Sequence, residues 1–174
     1  MKPTIFRYGI YAGLTIIILS AIHVFLIMPY ASYGESEIAG YLTMLISMVF
    51  VFLGIKHYRD QVNNGSLTFG QGLKTGVLIV LIPAVFFGLF DILYTEVINP
   101  SWKDDYYNHY IEQVKTSTAP EKLDAELKKL EAQKGMFSSP VMQFLLMAGT
   151  VFVIGFIVAI ISALTLRRTK IATV

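Results

Sequence analysis

The chain contains no cysteine. That excludes disulfides, thiolate-held metals and cysteine nucleophiles, and it leaves the redox compartment unreadable. Charge is scarce as well: 15% of the 174 residues are Asp, Glu, Lys or Arg, where a soluble domain carries about 25%. The net charge is +2, from 14 basic and 12 acidic side chains, too small an excess for a nucleic-acid partner. Catalytic signatures are missing too. There is no phosphate-binding G-x-x-x-x-G-K loop, no H-E-x-x-H pair and no G-x-S-x-G elbow. No catalytic residue, metal or cofactor is therefore expected, and the chain reads as a non-enzyme.

What is present is a set of long uncharged runs separated by short charged zones. Four runs, about 8–28, 38–55, 75–97 and 141–166, are long enough to cross a bilayer. A hydrocarbon core about 30 Å thick needs about 20 helical residues at about 1.5 Å each. Open strands are excluded, because unpaired backbone groups cannot face lipid. The expectation is one all-α membrane domain over 1–174, with four transmembrane helices and an extracytoplasmic helical hairpin at about 98–140. The first run reads as a retained anchor: it is about twice a signal-peptide core, and no A-x-A site follows it.

Orientation follows from the lysines and arginines flanking the runs. Lys2 and Arg7, then Lys56, Arg59 and Lys74, then Arg167, Arg168 and Lys170 put eight cations on one side, opposed there by Asp60. The short loop on the other side carries Glu35 and Glu37 and no cation. Segment 98–140 holds six lysines against seven acids, but long loops weigh little in this rule. Both termini are therefore expected in the cytoplasm. The Asn64-Gly65-Ser66 sequon falls on that side and carries no meaning there. The basic flanks read as topology signals and lipid-headgroup contacts.

Small residues mark the expected helix contacts. Gly40, Ser47 and Gly54 recur every seven residues in the second run, and Ala148, Gly155 and Ser162 in the fourth, with Ala159 beside them. Ala84 and Gly88 pair in the third, Gly72 and Gly76 frame its entry, and Pro83 is expected to kink it. Ser139-Pro140 reads as the start of the fourth helix. Trp102, Tyr106 and Tyr107 follow the third, where interfacial aromatics belong.

Between the third and fourth runs, Tyr107, Tyr110, Ile111 and Val114 share one helical face, and Leu123, Leu127 and Leu130 share another. Thr116 to Pro120 is a turn-like break. Thr118 with Glu121 matches a capping box, and Asp124 with Lys128 an i, i+4 pair. A helical hairpin is the expectation, a plain linker the alternative. Tyr107, Tyr110, Ile111, Leu123, Leu127 and Leu130 are the candidate partner-binding residues of that hairpin.

Ionisable groups at membrane depth are costly and hence candidate sites. His23, Asp91 and Glu96 qualify. His23 and Asp91 fall at similar depth near the outer ends of their runs, and Asp91 shares a face with Ala84 and Gly88. They could form a pair that relays protons or binds a cation. Alternatively each satisfies a neighbour, His23 with Ser20 or a tyrosine, and Asp91 with Thr95. Glu96 is close enough to the interface to be solvated.

Two stretches carry a resemblance. Leu67-Thr68-Phe69-Gly70-Gln71-Gly72-Leu73-Lys74-Thr75-Gly76 opens the third run, and Asp91-Ile92-Leu93-Tyr94-Thr95-Glu96-Val97-Ile98-Asn99-Pro100 leaves it for a tyrosine-rich acidic helix. Together they resemble a family of small bacterial four-span membrane proteins filed as domain of unknown function 4199, over about residues 5–168. The resemblance implies a bacterial inner membrane and the same four-helix layout. It implies no activity, and no catalytic residue carries over.

The reading is an accessory or scaffold component in the bilayer, either a homo-oligomer or docked to a membrane-protein partner through the hairpin. The alternative is a small ion- or proton-coupled transporter acting as an oligomer through His23 and Asp91. An intramembrane enzyme comes third, since no nucleophile–base constellation is visible.

Overall fold

A computed structural model describes residues 1–168; Lys170, counted above toward orientation, lies outside the described residues. Among those residues the regular elements are all helices, joined by short turns, apart from one isolated backbone bridge between Leu67 and Arg168. Four helices there are long and apolar enough to cross a membrane: Lys2–Tyr30, Tyr33–Val62, Phe69–Ile98 and Pro140–Leu166. The first three outlast the apolar runs that announce them, the second most of all, because polar residues at both ends continue the same helix.

The first crossing is α1 (Lys2–Ile22), which widens into a π-turn over His23–Ile27. The second is α2 (Tyr33–Ser47) and α3 (Val49–His57), separated at Met48 and ending in a π-turn over Tyr58–Val62. Ser47 accounts for the break. Its hydroxyl donates to the Met44 carbonyl at 2.7 Å, a back-bond that competes with the helix ladder and bends it. The third is α4 (Phe69–Leu93), running through Pro83 and ending in a π-turn over Tyr94–Ile98. Helices α5 (Trp102–Ser117) and α6 (Pro120–Phe137) follow, then α7 (Pro140–Leu166).

The start of α2 is a capping box the sequence reading passed over. Ser32 Oγ accepts from the Glu35 amide, and the Glu35 carboxylate accepts from the Ser32 amide at 2.9 Å. The box expected at Thr118 and Glu121 is not formed. Helix α6 begins after Ala119 with Pro120 in its first turn and no side-chain cap. Pro120 presets the first helical φ, which leaves Thr118 one residue too early; its amide closes the end of α5 on the Val114 carbonyl at 3.0 Å. The start of α7 is as expected, with Ser139 Oγ taking the Met142 amide at 3.5 Å.

The chain forms two compact units, Met1–Phe87 with the chain from Ala148 onward, and Gly88–Met147. The first unit exposes large apolar side chains that a soluble domain would bury. Helix α1 buries Thr4, Gly9, Ala12, Gly13 and Ser20 while Leu14 and Ile18 are 50% and 58% exposed. Ile5 and Ile16 are buried beside them, so the seam mixes small residues with large ones, while the outer face is apolar, as suits a lipid solvent where close packing drives association. The expected glycine contacts are there. A Cβ on Gly76 would meet Ala159 Cβ at 2.7 Å, one on Gly72 would meet Ala163 Cβ at 3.0 Å, and one on Gly155 would meet Val80 Cγ1 at 2.5 Å. The buried hydroxyls of Thr43, Ser47 and Thr75 return to the backbone, that of Thr75 to the Gln71 carbonyl at 2.8 Å.

The second unit holds the last turns of α4, the hairpin α5–α6 and the first turns of α7.

Candidate functional site

A polar cluster joins α4, α5 and α7 in the second unit, and a glycine makes it possible. A Cβ on Gly88 would meet Phe144 Cδ2 at 2.7 Å and the Phe144 carbonyl at 3.2 Å, so the end of α4 and the start of α7 touch there without an intervening side chain. One turn further on, α4 presents Asp91, and the π-turn after it presents Thr95. Gln143, beside Phe144, is 1% exposed. Its Nε2 donates to Asp91 Oδ2 at 2.5 Å and to Thr95 Oγ1 at 2.7 Å. Thr95 in turn donates to the Asp91 carbonyl at 3.0 Å.

Gln143 is thus used completely, because its Oε1 accepts from Lys103 Nζ at 3.2 Å. Lys103 reaches it because α5 starts only four residues after the π-turn. Asn99 closes that turn on the Tyr94 carbonyl at 2.7 Å, and the Trp102 amide takes the Asn99 carbonyl at 3.2 Å. The same ammonium pairs with the Glu96 carboxylate and lies 3.5 Å from the Phe137 carbonyl at the end of α6. Four helical pieces therefore meet on one side chain. The amide bridges a carboxylate at depth to an ammonium, and the ammonium to a second, more exposed carboxylate. That arrangement can hold charge balance and geometry, and it offers a hydrogen-bonded line from Glu96 to Asp91.

Around it, aromatics form a stack: Trp102 on Tyr106 at 5.1 Å between ring centroids and Tyr106 beside Tyr110 at 4.7 Å. Trp102 Nε1 is buried without a hydrogen-bond partner among the described residues. Tyr107 is buried, with Phe137 of α6 at 6.5 Å between rings, and burial pushes its hydroxyl above the ordinary tyrosine value. Tyr110, Ile111, Leu123, Leu127 and Leu130 are half-buried, as befits two helices packed on each other. Lys134 of α6 pairs with Asp104 of α5 at 2.7 Å, and that hydrogen bond and charge hold the Asp104 carboxyl below the usual carboxylate range. The other hairpin pairs are Lys115–Glu112 and Lys129–Glu126. The expected Asp124–Lys128 pair is not among them; these side chains are exposed, where an ion pair gains little over water.

His23 lies in the first unit, at the π-turn ending α1. Its Nε2 is 2.8 Å from Ser36 Oγ of α2, and Gly40 leaves room for the ring, with His23 Cε1 3.8 Å from where a Cβ would stand. The structure thus gives His23 and Asp91 separate partners, Ser36 and Gln143, and joins Glu96 to the Asp91 network through Lys103. Gln143 and Lys103 were not singled out from the sequence. Gln143 had one signal, being the single amide inside the apolar run 141–166; Lys103 had none among the lysines of its segment.

One family model matches residues 7–168, nearly the whole chain. The chain belongs to that family, described as Protein of unknown function (DUF4199). Among curated proteins and among solved structures, nothing matches it. For this DUF4199 chain the site must be read from its own chemistry.

Proposed function

We propose that this DUF4199 chain is a non-enzymatic accessory or scaffold component of a bacterial inner membrane, with both termini in the cytoplasm and the α5–α6 hairpin on the outer side. The complete use of Gln143 is the observation that carries it. Both amide donors and the amide acceptor are bonded within the second unit, so the polar groups at depth hold helices together rather than wait for a substrate. The orientation is supported by the cations flanking the apolar runs. The hairpin, with Lys122 and Lys129 exposed on it, is then the part offered to a partner membrane protein.

The test is photo-crosslinking in intact cells from probes at Lys122 and Lys129, followed by mass spectrometry. A specific foreign membrane protein in the adduct supports the accessory role; adducts only to the chain itself, or none, move the weight to the second reading. That reading is a proton- or ion-coupled transporter acting as an oligomer through Asp91 and His23. It is favoured by the line Asp91–Gln143–Lys103–Glu96, which links a carboxylate at depth to a more exposed one. Asp91→Asn decides it, since full function in that variant removes Asp91 as a carrier of protons or cations.

A further inference from the structure

The end of the first unit where α3 stops, α4 starts and α7 stops is tied together by side-chain and backbone hydrogen bonds. Asn64 and Gly65 turn the chain there at positive φ, 50° and 76°. Asn63 Nδ2 donates to the Ser66 carbonyl at 2.7 Å and to Gln71 Oε1 at 3.2 Å, and Gln71 Oε1 also accepts the Thr68 amide at 3.0 Å. The loop then pairs with the chain leaving α7. Leu67 N donates to the Arg168 carbonyl at 2.7 Å, and Arg168 N to the Leu67 carbonyl at 2.8 Å. Arg59 Nη1 adds a bond to the Leu166 carbonyl at 3.3 Å.

These backbone bonds fix where Arg167 and Arg168 leave the fold, while both side chains stay exposed. Lys56 and Lys74 are exposed in the same unit. The acid of this region, Asp60, is already paired with Arg59 at 2.6 Å, and Lys56 and Arg168 lie close enough to act on it electrostatically. The same helix ends expose apolar side chains: Val62, Phe69 and Leu164 are 44%, 40% and 48% exposed. Exposed cations at fixed backbone positions, on the same helix ends as exposed apolar side chains, match an amphiphile with an anionic head. A nucleic acid would use the cations and leave the apolar side chains in water.

We propose that this rim binds an anionic phospholipid, its headgroup drawn by the exposed cations Lys56, Arg167 and Arg168 and its acyl chains lying on the apolar side chains. The proposal rests on the chain residing in a bilayer, not on its accessory role. Juxtamembrane cations each contribute to anionic-lipid binding by about fivefold.

The experiment is native mass spectrometry of the full chain in detergent, reloaded with either phosphatidylglycerol or phosphatidylcholine. The expected result is selective retention of phosphatidylglycerol, lost by roughly tenfold or more in R167Q/R168Q and kept in K122Q/K128Q, which removes equal charge from the hairpin. K56Q, about fivefold weaker, gives the same reading should the double variant fold poorly. Equal retention of both lipids overturns the proposal and leaves the membrane reading standing, as does equal loss in the two double variants. A chain that does not fractionate with membranes sinks both.

Discussion

Gln143 donates to Asp91 across the junction of α7 and α4 at 2.5 Å, and this amide–carboxylate contact organises the polar end of the second unit. Gln143 is the side-chain donor to Asp91 and to the Thr95 hydroxyl, so its loss leaves both without that bond. The pair explains why one helix carries a carboxylate at depth and its neighbour an amide in an otherwise apolar run.

Gln143→Leu should therefore be much worse than Asp91→Asn. The leucine leaves the Asp91 carboxylate and the Thr95 hydroxyl without their donor, a loss of about 2 kcal/mol or more. An asparagine at 91 keeps an oxygen for the Gln143 amide and should stay within about 1 kcal/mol of the wild type. Thermal melts in one detergent compare the two. Equal destabilisation would mean that the charge of Asp91, and not its hydrogen bond, is what the fold requires.

Lys103 is the clip at the base of the hairpin, reaching Glu96, Gln143 and the Phe137 carbonyl together. Lys103→Met keeps the length of the side chain and removes every donor. The segment from Phe137 to Ser139 should then be cut by protease at least several times faster, while Lys122→Met, exposed on α6, changes nothing. Unaltered cleavage in the Lys103 variant would show that hairpin packing alone holds the base.

The spans and their small-residue seams were legible because both are bulk or periodic properties. A run of twenty uncharged residues needs no partner to be recognised, and Gly76 announces a close approach whichever side chain fills it. Asp91 was legible as an expensive charge. Gln143 was not, since a neutral amide breaks no rule of composition and acquires meaning only from a residue 52 positions away. Lys103 was hidden for the same reason, one lysine among six. The Thr118 box failed on a local conflict: Pro120 fixes the helix start by its ring, and a ring constraint outranks a hydroxyl cap.

Glycines inside the spans should divide by what surrounds them. At Gly76 a methyl group would press on the Ala159 side chain and, at 3.3 Å, on its Cα. Gly76→Ala should cost about 1–3 kcal/mol through forced separation of α4 and α7. At Gly149 a Cβ meets nothing within 4 Å, so Gly149→Ala gains helix propensity, up to about 1 kcal/mol. Opposite shifts in melting temperature are expected. Two shifts of the same sign would mean that the seam at Gly76 has more room than its contacts imply.

The Lys134–Asp104 pair gives the hairpin a defined acid response. Asp104 has its pKa lowered in the folded chain, so the folded state binds its proton less readily than the unfolded one. The stabilisation is present above the ordinary aspartate value, about 3.9, and is lost as pH falls through the lower folded value. Both side chains face water, so the pair is weak and its effect confined to the base of the hairpin. Amide hydrogen exchange of α5 and α6 at neutral pH and near pH 3 should show the first turn of α5 losing protection in acid. Lys134→Gln should remove part of that pH dependence, because it takes away the hydrogen-bonded cation and leaves only the weaker pull of Lys103. If wild type and variant change alike, the acid sensitivity belongs to other carboxylates and Asp104 does not fasten the hairpin.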